Sequence, residues 1–469
     1  MKKQILFVII TLVSLWSVTA QDTTTVIIFH TNDMHGRLKT FPQAKFIIDS
    51  VRAIYKDVFV FSAGDIFTGN PVTDKFVPDT CKRKTNKYYG YPIIDLMNRV
   101  GYNVSEIGNH EFDYTIPVFI EREKQARFPF ICANMDGSDT GIVTKPYMMF
   151  RTSNGDKIFV LGLLQIGRNG YPDSYVPKVK PIKFYDPEKI LKKYKKAKDT
   201  VAVSILLSHL GSDKDEEVAA KYPYFDVIIG GHTHHRVDTL VDNTLVLQAG
   251  KYMKYLGMTT LKIYKGKVVE KKDTLFDLKR YKSYDKELKK LVDKYEEAPY
   301  LDEVIAKAGC TFTGDKELGK IITAAMLDYT GADMAFQNDG GIRIHQIPEG
   351  NITLRQIYAM SPFGNKYVVL EMTPAQIKDM ILYVYALTHQ DGLEAGGVDF
   401  SFKTKDGKIT DVILKKDGKE LKDDGVYKVA INDYMFTAYR LKYNKVVKEY
   451  NKTDAEVIID YLKKIKVVK

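Results

Sequence analysis

The N-terminal half of the chain alternates short apolar runs with amphipathic stretches. Residues 25–29, 58–61, 103–107, 201–207, 227–229 and 245–247 are rich in Val, Ile and Phe and are bounded by Gly, Asp, Asn or His. Short runs with that content and those borders read as buried strands. Between them, residues 91–100 place Ile93, Ile94, Met97 and Val100 on one helical face. Strands alternating with such helices predict an α/β layered domain. The charged stretch 283–297 spaces Leu288, Leu291 and Tyr295 at helical intervals and reads as a helix joining two domains. Beyond residue 300 the order is mixed. A helix is expected over 318–327 and strands over 334–336, 368–372 and 426–431. A capping box, Thr453-Asp454-Ala455-Glu456, opens a last helix through Leu462. This second region reads as α+β. The lysine-rich stretch 79–89 reads as a surface loop near the site.

Length agrees with that division, since 469 residues exceed what one core organises. The expected boundaries are a leader over 1–20, a first domain over 21–280, a linker helix over 281–300 and a second domain over 301–469. The leader rests on Lys2 and Lys3, the apolar stretch 5–16 and the small residues Val18-Thr19-Ala20. Its apolar part is shorter than the roughly 20 residues of a membrane span. The chain therefore reads as exported, periplasmic or extracellular, with no span once the leader is removed; a signal-anchor is the alternative. A net charge of +11 raises the question of nucleic acid. Lys and Arg are scattered, however, and no nucleic-acid module is present, so the charge reads as a surface bias that favours small anionic substrates. Three cysteines, Cys81, Cys132 and Cys310, make no disulfide framework. Cys132, inside an apolar run, reads as core.

The polar residues that follow the apolar runs carry the chemistry. Five clusters stand there: Asn32-Asp33-Met34-His35-Gly36, Gly64-Asp65, Gly108-Asn109-His110-Glu111-Phe112-Asp113, Ser208-His209, and Gly230-Gly231-His232-Thr233-His234. Of nine histidines, His30, His35, His110, His209, His232 and His234 fall in or beside them. Each cluster alone is compatible with turns and helix caps. Together, at the carboxyl ends of strands, they can converge on one ligand. Alternate positions of an extended segment also aim His232 and His234 the same way. Imidazole and carboxylate donors suit zinc, manganese, iron or cobalt. Asp33, His35, Asp65, Asn109, His209, His232 and His234 are too many for one tetrahedral ion, and suit two divalent ions bridged by a carboxylate. A pair of that kind generates a metal-bound hydroxide at neutral pH and steadies both oxygens of an in-line displacement.

The ordered motifs resemble the calcineurin-like metallophosphoesterases, and Gly108–Asp113 is similar to the 5′-nucleotidase/UDP-sugar hydrolase branch. That resemblance implies a four-layer αββα sandwich followed by a smaller α+β substrate-binding domain. It implies one metal on Asp33, His35, Asp65 and His234, and a second on Asp65, Asn109, His209 and His232, with Asp65 as the bridge. Where His234 stands the family often has Gln. It also implies a catalytic dyad, His110 assisting at the phosphoryl or leaving oxygen and Asp113 orienting it. In the second domain, Asn338-Asp339-Gly340-Gly341-Ile342-Arg343 resembles the segment that grips phosphate and base. Ser361-Pro362-Phe363-Gly364-Asn365 resembles the segment whose Phe stacks on the base. Tyr434 is the candidate for the other face of that stack.

Two places depart from the family. Phe312 stands near where an Arg for phosphate is usual, and Met435-Phe436-Thr437-Ala438-Tyr439-Arg440 replaces a Gly-Gly-Asp-Gly segment whose Asp holds the ribose. The expected activity is hydrolysis of a phosphate ester, with a 5′-nucleotide as the first substrate class. The alternatives are a UDP-sugar, a cyclic nucleotide, a sugar phosphate, or a nucleotide-binding protein without turnover.

Overall fold

The computed structural model describes residues 23–78, 81, 85–388, 390–406 and 408–469. The expected leader, and part of the lysine-rich loop, lie outside the described residues. No described helix is long and apolar enough to cross a membrane.

The first region is built on two sheets. Across the first, the strands run Lys267–Lys272, Tyr255–Tyr264, Thr23–Thr31, Asp57–Ser62, Val104–Glu106, Phe130–Ile131. Across the second they run Arg236–Val241, Thr244–Ala249, Val227–Ile229, Val203–His209, Lys157–Leu164, Tyr147–Arg151. The central strands of both are parallel, which leaves their carboxyl ends on a common edge. The inner faces meet in one core that includes Val26, Ile28, Phe61, Val104, Ile158, Val203, Ile205 and Leu207. Strands buried on both faces must be apolar at consecutive positions, which is why the sequence shows runs instead of alternation. Helices Phe41–Arg52, Tyr91–Val100 and Ile116–Gln125 cover the outer face of the first sheet. Pro187–Tyr194 and Ser212–Lys221 cover the second through Leu191, Val218 and Ala219. The result is a four-layer αββα sandwich. Helix Lys286–Glu296 is docked on this domain, with Leu288 and Val292 inserted in the core under the first sheet.

The second region is a five-stranded sheet in the order Leu393–Gly396, Met334–Asn338, Tyr427–Asn432, Lys366–Met372, Lys445–Thr453. One face packs on helices Gly314–Thr330, Leu354–Met360 and Asp454–Ile465. The other packs on helix Pro374–Thr388 and a small antiparallel sheet. The Thr453 capping box forms with both of its bonds, so the last helix starts where the sequence places it. Phe312 is buried in this domain's core. Residues 433–438 form a short helix capped by Asn432.

His30 lies beside the first cluster but belongs to the scaffold. Strand alternation points it away from the site, and its Nε2 lies 3.1 Å from Asp273 in a buried pair. Gly257, opposite on the neighbouring strand, leaves room for that ring: an added methyl carbon would stand 2.0 Å from His30 Nε2. Gly257→Ala is therefore expected to destabilise the fold by about 1–3 kcal/mol, the usual cost of overpacking. Thermal melts of Gly257→Ala and His30→Ala/Gly257→Ala check this. Because the overlap is with that one ring, the double variant should lose less than the sum of the two single losses.

Candidate metal centre and the cavity over it

The residues of the five clusters meet at the common sheet edge. Loops after Thr23–Thr31 and Asp57–Ser62 are laced together by backbone bonds from Asp33 N to Gly64 O (3.0 Å) and from His35 N to Asp65 O (3.0 Å). Asn32 adds a staple across the domain, donating to Gly250 O at 2.6 Å and accepting from Ala249 N at 2.7 Å. Glu111, also buried, accepts from the amides of Asp65, Ile66 and Gly108 at 3.1, 2.6 and 2.5 Å. This clamps the second and third clusters together. Gly108 has to be glycine, since a methyl carbon there would lie 2.2 Å from Asp65 Oδ1.

The site is held under strain. Asp33, His35, Asp65, His232 and His234 have φ of 48°, 47°, 53°, 77° and 62°. A side chain in this left-handed region costs roughly 1–2 kcal/mol. Such residues gather where function over-determines the backbone.

Ligand-type atoms of Asp33, His35, Asp65 and His234 all lie within 4.8 Å of one another. A second group adjoins them. His209 Nε2 is 3.2 Å from Asp65 Oδ2, while Asn109 Oδ1 lies 3.2 Å from His209 Nε2 and 3.0 Å from His232 Nδ1. Asp65 is thus in reach of both groups. Outer contacts orient the rings: His35 Nδ1 donates to Thr68 O at 2.9 Å and His209 Nδ1 to Ala63 O at 2.7 Å, which turns each Nε2 inward. Burial holds the pKa of His35, His232 and His234 below the ordinary value, keeping them neutral. Burial also opposes charge on His209, yet Asp65 outweighs it and raises that imidazole to about 10. Asp65 in turn is held well below the usual carboxylate range: burial opposes its charge, but His209 prevails. Two buried carboxylates, inward-facing imidazole nitrogens and an amide oxygen make a donor set that fits divalent cations.

His110 and Asp113 stand beside the cage, with Nδ1 and Oδ2 2.7 Å apart. His110 N also donates to Asp65 Oδ1 at 2.9 Å. Burial disfavours the imidazolium, but Asp113 and then Asp65 more than compensate, and the His110 pKa is raised.

The second domain closes over this edge. Asn338, Arg343, Phe363 and Tyr434 line the same cavity of about 190 Å³ as Asp65, Asn109, His110, Asp113, His232 and His234. Arg343 Nη2 lies 3.1 Å from His35 Nε2, and its guanidinium stands 5.5 Å from the Phe363 ring. Phe363 stacks on His110, with centroids 5.1 Å apart and planes 16° from parallel. Arg440 does not line the cavity; it donates to Arg168 O at 2.8 Å, tying the two domains together at the surface. The sequence reading had no sign of the segment 173–178, which supplies Asp173, Ser174, Tyr175 and Lys178 to the cavity wall. It carries no motif. It is found only because Asn109 Nδ2 donates to Asp173 O at 2.9 Å and Ser174 donates to Asn109 O.

Comparison with known proteins points the same way. Residues 27–236 match the calcineurin-like phosphoesterase family and residues 302–443 the 5′-nucleotidase C-terminal domain. Protein UshA of Escherichia coli is 26% identical over 94% of this chain and 91% of its own length. A 5′-nucleotidase of Vibrio cholerae gives the same three values. The crystal structure of a 5′-nucleotidase precursor from Thermus thermophilus superposes with a TM-score of 0.78. It covers 95% of this chain and 97% of that one, at 25% identity.

Proposed function

We propose, from the premise that this chain belongs to the 5′-nucleotidase family of calcineurin-like phosphoesterases, that it releases phosphate from 5′-nucleotides outside the cytoplasm. Metal-dependent hydrolysis of a phosphoric ester follows from the family. The substrate and the residue roles are our reading. The observation that carries it is the closure of Arg343, Asn338, Phe363 and Tyr434 over a cage and dyad they share no domain with.

Asp33, His35, Asp65 and His234 would hold one divalent cation, and Asp65, Asn109, His209 and His232 the other, as zinc, manganese, cobalt or iron. Bound there, the pair supplies positive charge at the phosphoryl group and lowers the pKa of water. The chain does the rest. Arg343 offers a planar fork to phosphoryl oxygens. His110, held through Nδ1 by Asp113, presents Nε2 to the cavity and carries the proton that the leaving oxygen needs. Asn338 and Tyr434 border the space for the rest of the substrate. His110 covers one face of the Phe363 ring, so a base would stack on the other. A full set of metal-type donors with the His110–Asp113 pair beside it argues against a scaffold that binds nucleotide without turnover.

The test is product formation by protein loaded separately with zinc, manganese or cobalt. It is read as inorganic phosphate from the monoesters and as the separated phosphorylated products from UDP-glucose and the cyclic nucleotides, which release no free phosphate in one cleavage. The substrates are AMP, UDP-glucose, cyclic nucleotides and a sugar phosphate. We expect AMP to lead the series and chelation to abolish turnover, with activity restored by adding back the ion. If esters are cleaved but AMP is poor, the nucleotide assignment falls and the helix at 433–438, where the family's ribose-binding segment would be, is the cause to examine. If no ester is cleaved with any ion, hydrolysis itself is wrong.

A further inference from the structure

We infer that Lys178 is a substrate-contacting residue supplied by the catalytic domain, and that it contributes more to phosphoesters whose leaving group carries a negative charge of its own, such as nucleoside diphosphates, than to those whose leaving group is neutral. The inference rests on the phosphoester reading above and adds a specificity determinant to it.

Lys178 lies in the cavity wall, on a segment fixed to Asn109 by the bonds of Asp173 and Ser174. Its place relative to the cage is therefore set by the fold, not by a free loop. The half-buried ammonium donates one proton to the carbonyl of Asp113 and has two left. Among the described residues no carboxylate forms an ion pair with it. Asp113, Asp433 and Asp454 are near enough to favour its charge but none is at ion-pair distance; Asp113 accepts from His110, and Asp454 from Ser361 at 2.8 Å. A desolvated ammonium with no carboxylate in direct contact is costly, and burial outweighs the nearby negative charges in lowering its pKa. An anion entering the cavity would satisfy it.

The cavity lining holds one other cationic side chain, Arg343. Contacts run from Arg343 to Phe363, from Phe363 to His110, from His110 to Asp113, and from Asp113 to Lys178. Arg343 is at the cage end, against His35. Lys178 is at the other, beyond the group that faces the leaving oxygen. A leaving group that extends past the dyad meets it.

ADP and AMP separate this from a structural role. When the terminal phosphoryl of ADP is transferred the leaving group is AMP, an anion; when AMP is cleaved it is adenosine, which is neutral. In the metal-loaded full chain, Lys178→Met should lower the ratio of kcat/KM for ADP to that for AMP by about ten- to a hundredfold, mainly through KM. Lys178→Arg should restore most of it. Equal losses for both substrates would mean that Lys178 only props Asp113, and an unchanged ratio would mean that it touches neither; each overturns the inference. A thermal melt of each variant keeps misfolding from imitating the effect. Should Lys178→Met fail to fold, the ratio is read on Lys178→Gln. A wild-type protein that cleaves neither ester removes the phosphoester reading first, and this inference with it.

Discussion

Replacing Asp65 by alanine is expected to lower kcat by at least about 10³-fold, the scale on which a central electrostatic stabiliser is lost. The geometry explains why this carboxylate should matter more than any neighbour. Oδ2 lies 3.2 Å from His209 Nε2 and 3.9 Å from His35 Nε2, so one side chain reaches both halves of the cage. Oδ1 accepts the His110 amide at 2.9 Å and so also fixes the start of the dyad's turn. The variant removes charge, bridge and hydrogen-bond acceptor together. Asp65→Asn separates them, because it keeps the volume and an acceptor while discarding the charge. We expect it to lie near alanine in rate and nearer wild type in thermal stability. Metal content per chain is the second readout, expected to fall for both variants. An Asp65→Ala protein within tenfold of wild type would contradict the bridging role.

The parts of this site that the sequence displays are those where backbone and chemistry demand the same residue. Strands sandwiched between two layers are dominated by apolar residues, so the polar loops that follow them stand out, and that is where Asp33, Asp65 and Asn109 lie. The Gly108–Asp113 motif is legible for a similar reason: Gly108 leaves space for Asp65, and Glu111 must reach three amides. His30 shows the limit of counting histidines, since one strand position decides whether an imidazole faces the cage or Asp273. The segment 173–178 was invisible for the opposite reason. Its hold on Asn109 uses a carbonyl and a serine hydroxyl, groups that nearly any loop possesses. In the sequence, the stretch after Tyr434 stands out only because residues 435–440 lack the expected Gly-Gly-Asp-Gly segment. That residues 433–438 are helical, with Asn432 as the cap, needed coordinates.

His110→Ala should lower kcat by about 10²–10⁴-fold, the span of general acid–base assistance, and should do so with the metal content of wild type. That pairing of results is what distinguishes the dyad from the cage. His110 contributes no atom to the four-residue cluster around Asp33, and its side chain is tied to Asp113 alone among carboxylates at hydrogen-bond distance. Removing the imidazole therefore leaves every cage donor in place. Asp113 provides the graded control. Its Oδ2 accepts from Nδ1 at 2.7 Å, which leaves Nε2 to face the cavity. Asparagine can still accept that bond through its amide oxygen, whereas alanine frees the ring to rotate, so Asp113→Asn should lose less than Asp113→Ala. Phe363 adds a separate constraint, because it lies flat on the same imidazole. If Phe363→Leu raises KM and leaves kcat nearly as it was, the ring serves the substrate. If kcat falls with Asp113→Ala and Phe363→Leu alike, the two contacts together hold His110 in its working orientation. An His110→Ala enzyme within threefold of wild type on AMP would mean that the leaving oxygen takes its proton from elsewhere, and the dyad would have to be abandoned.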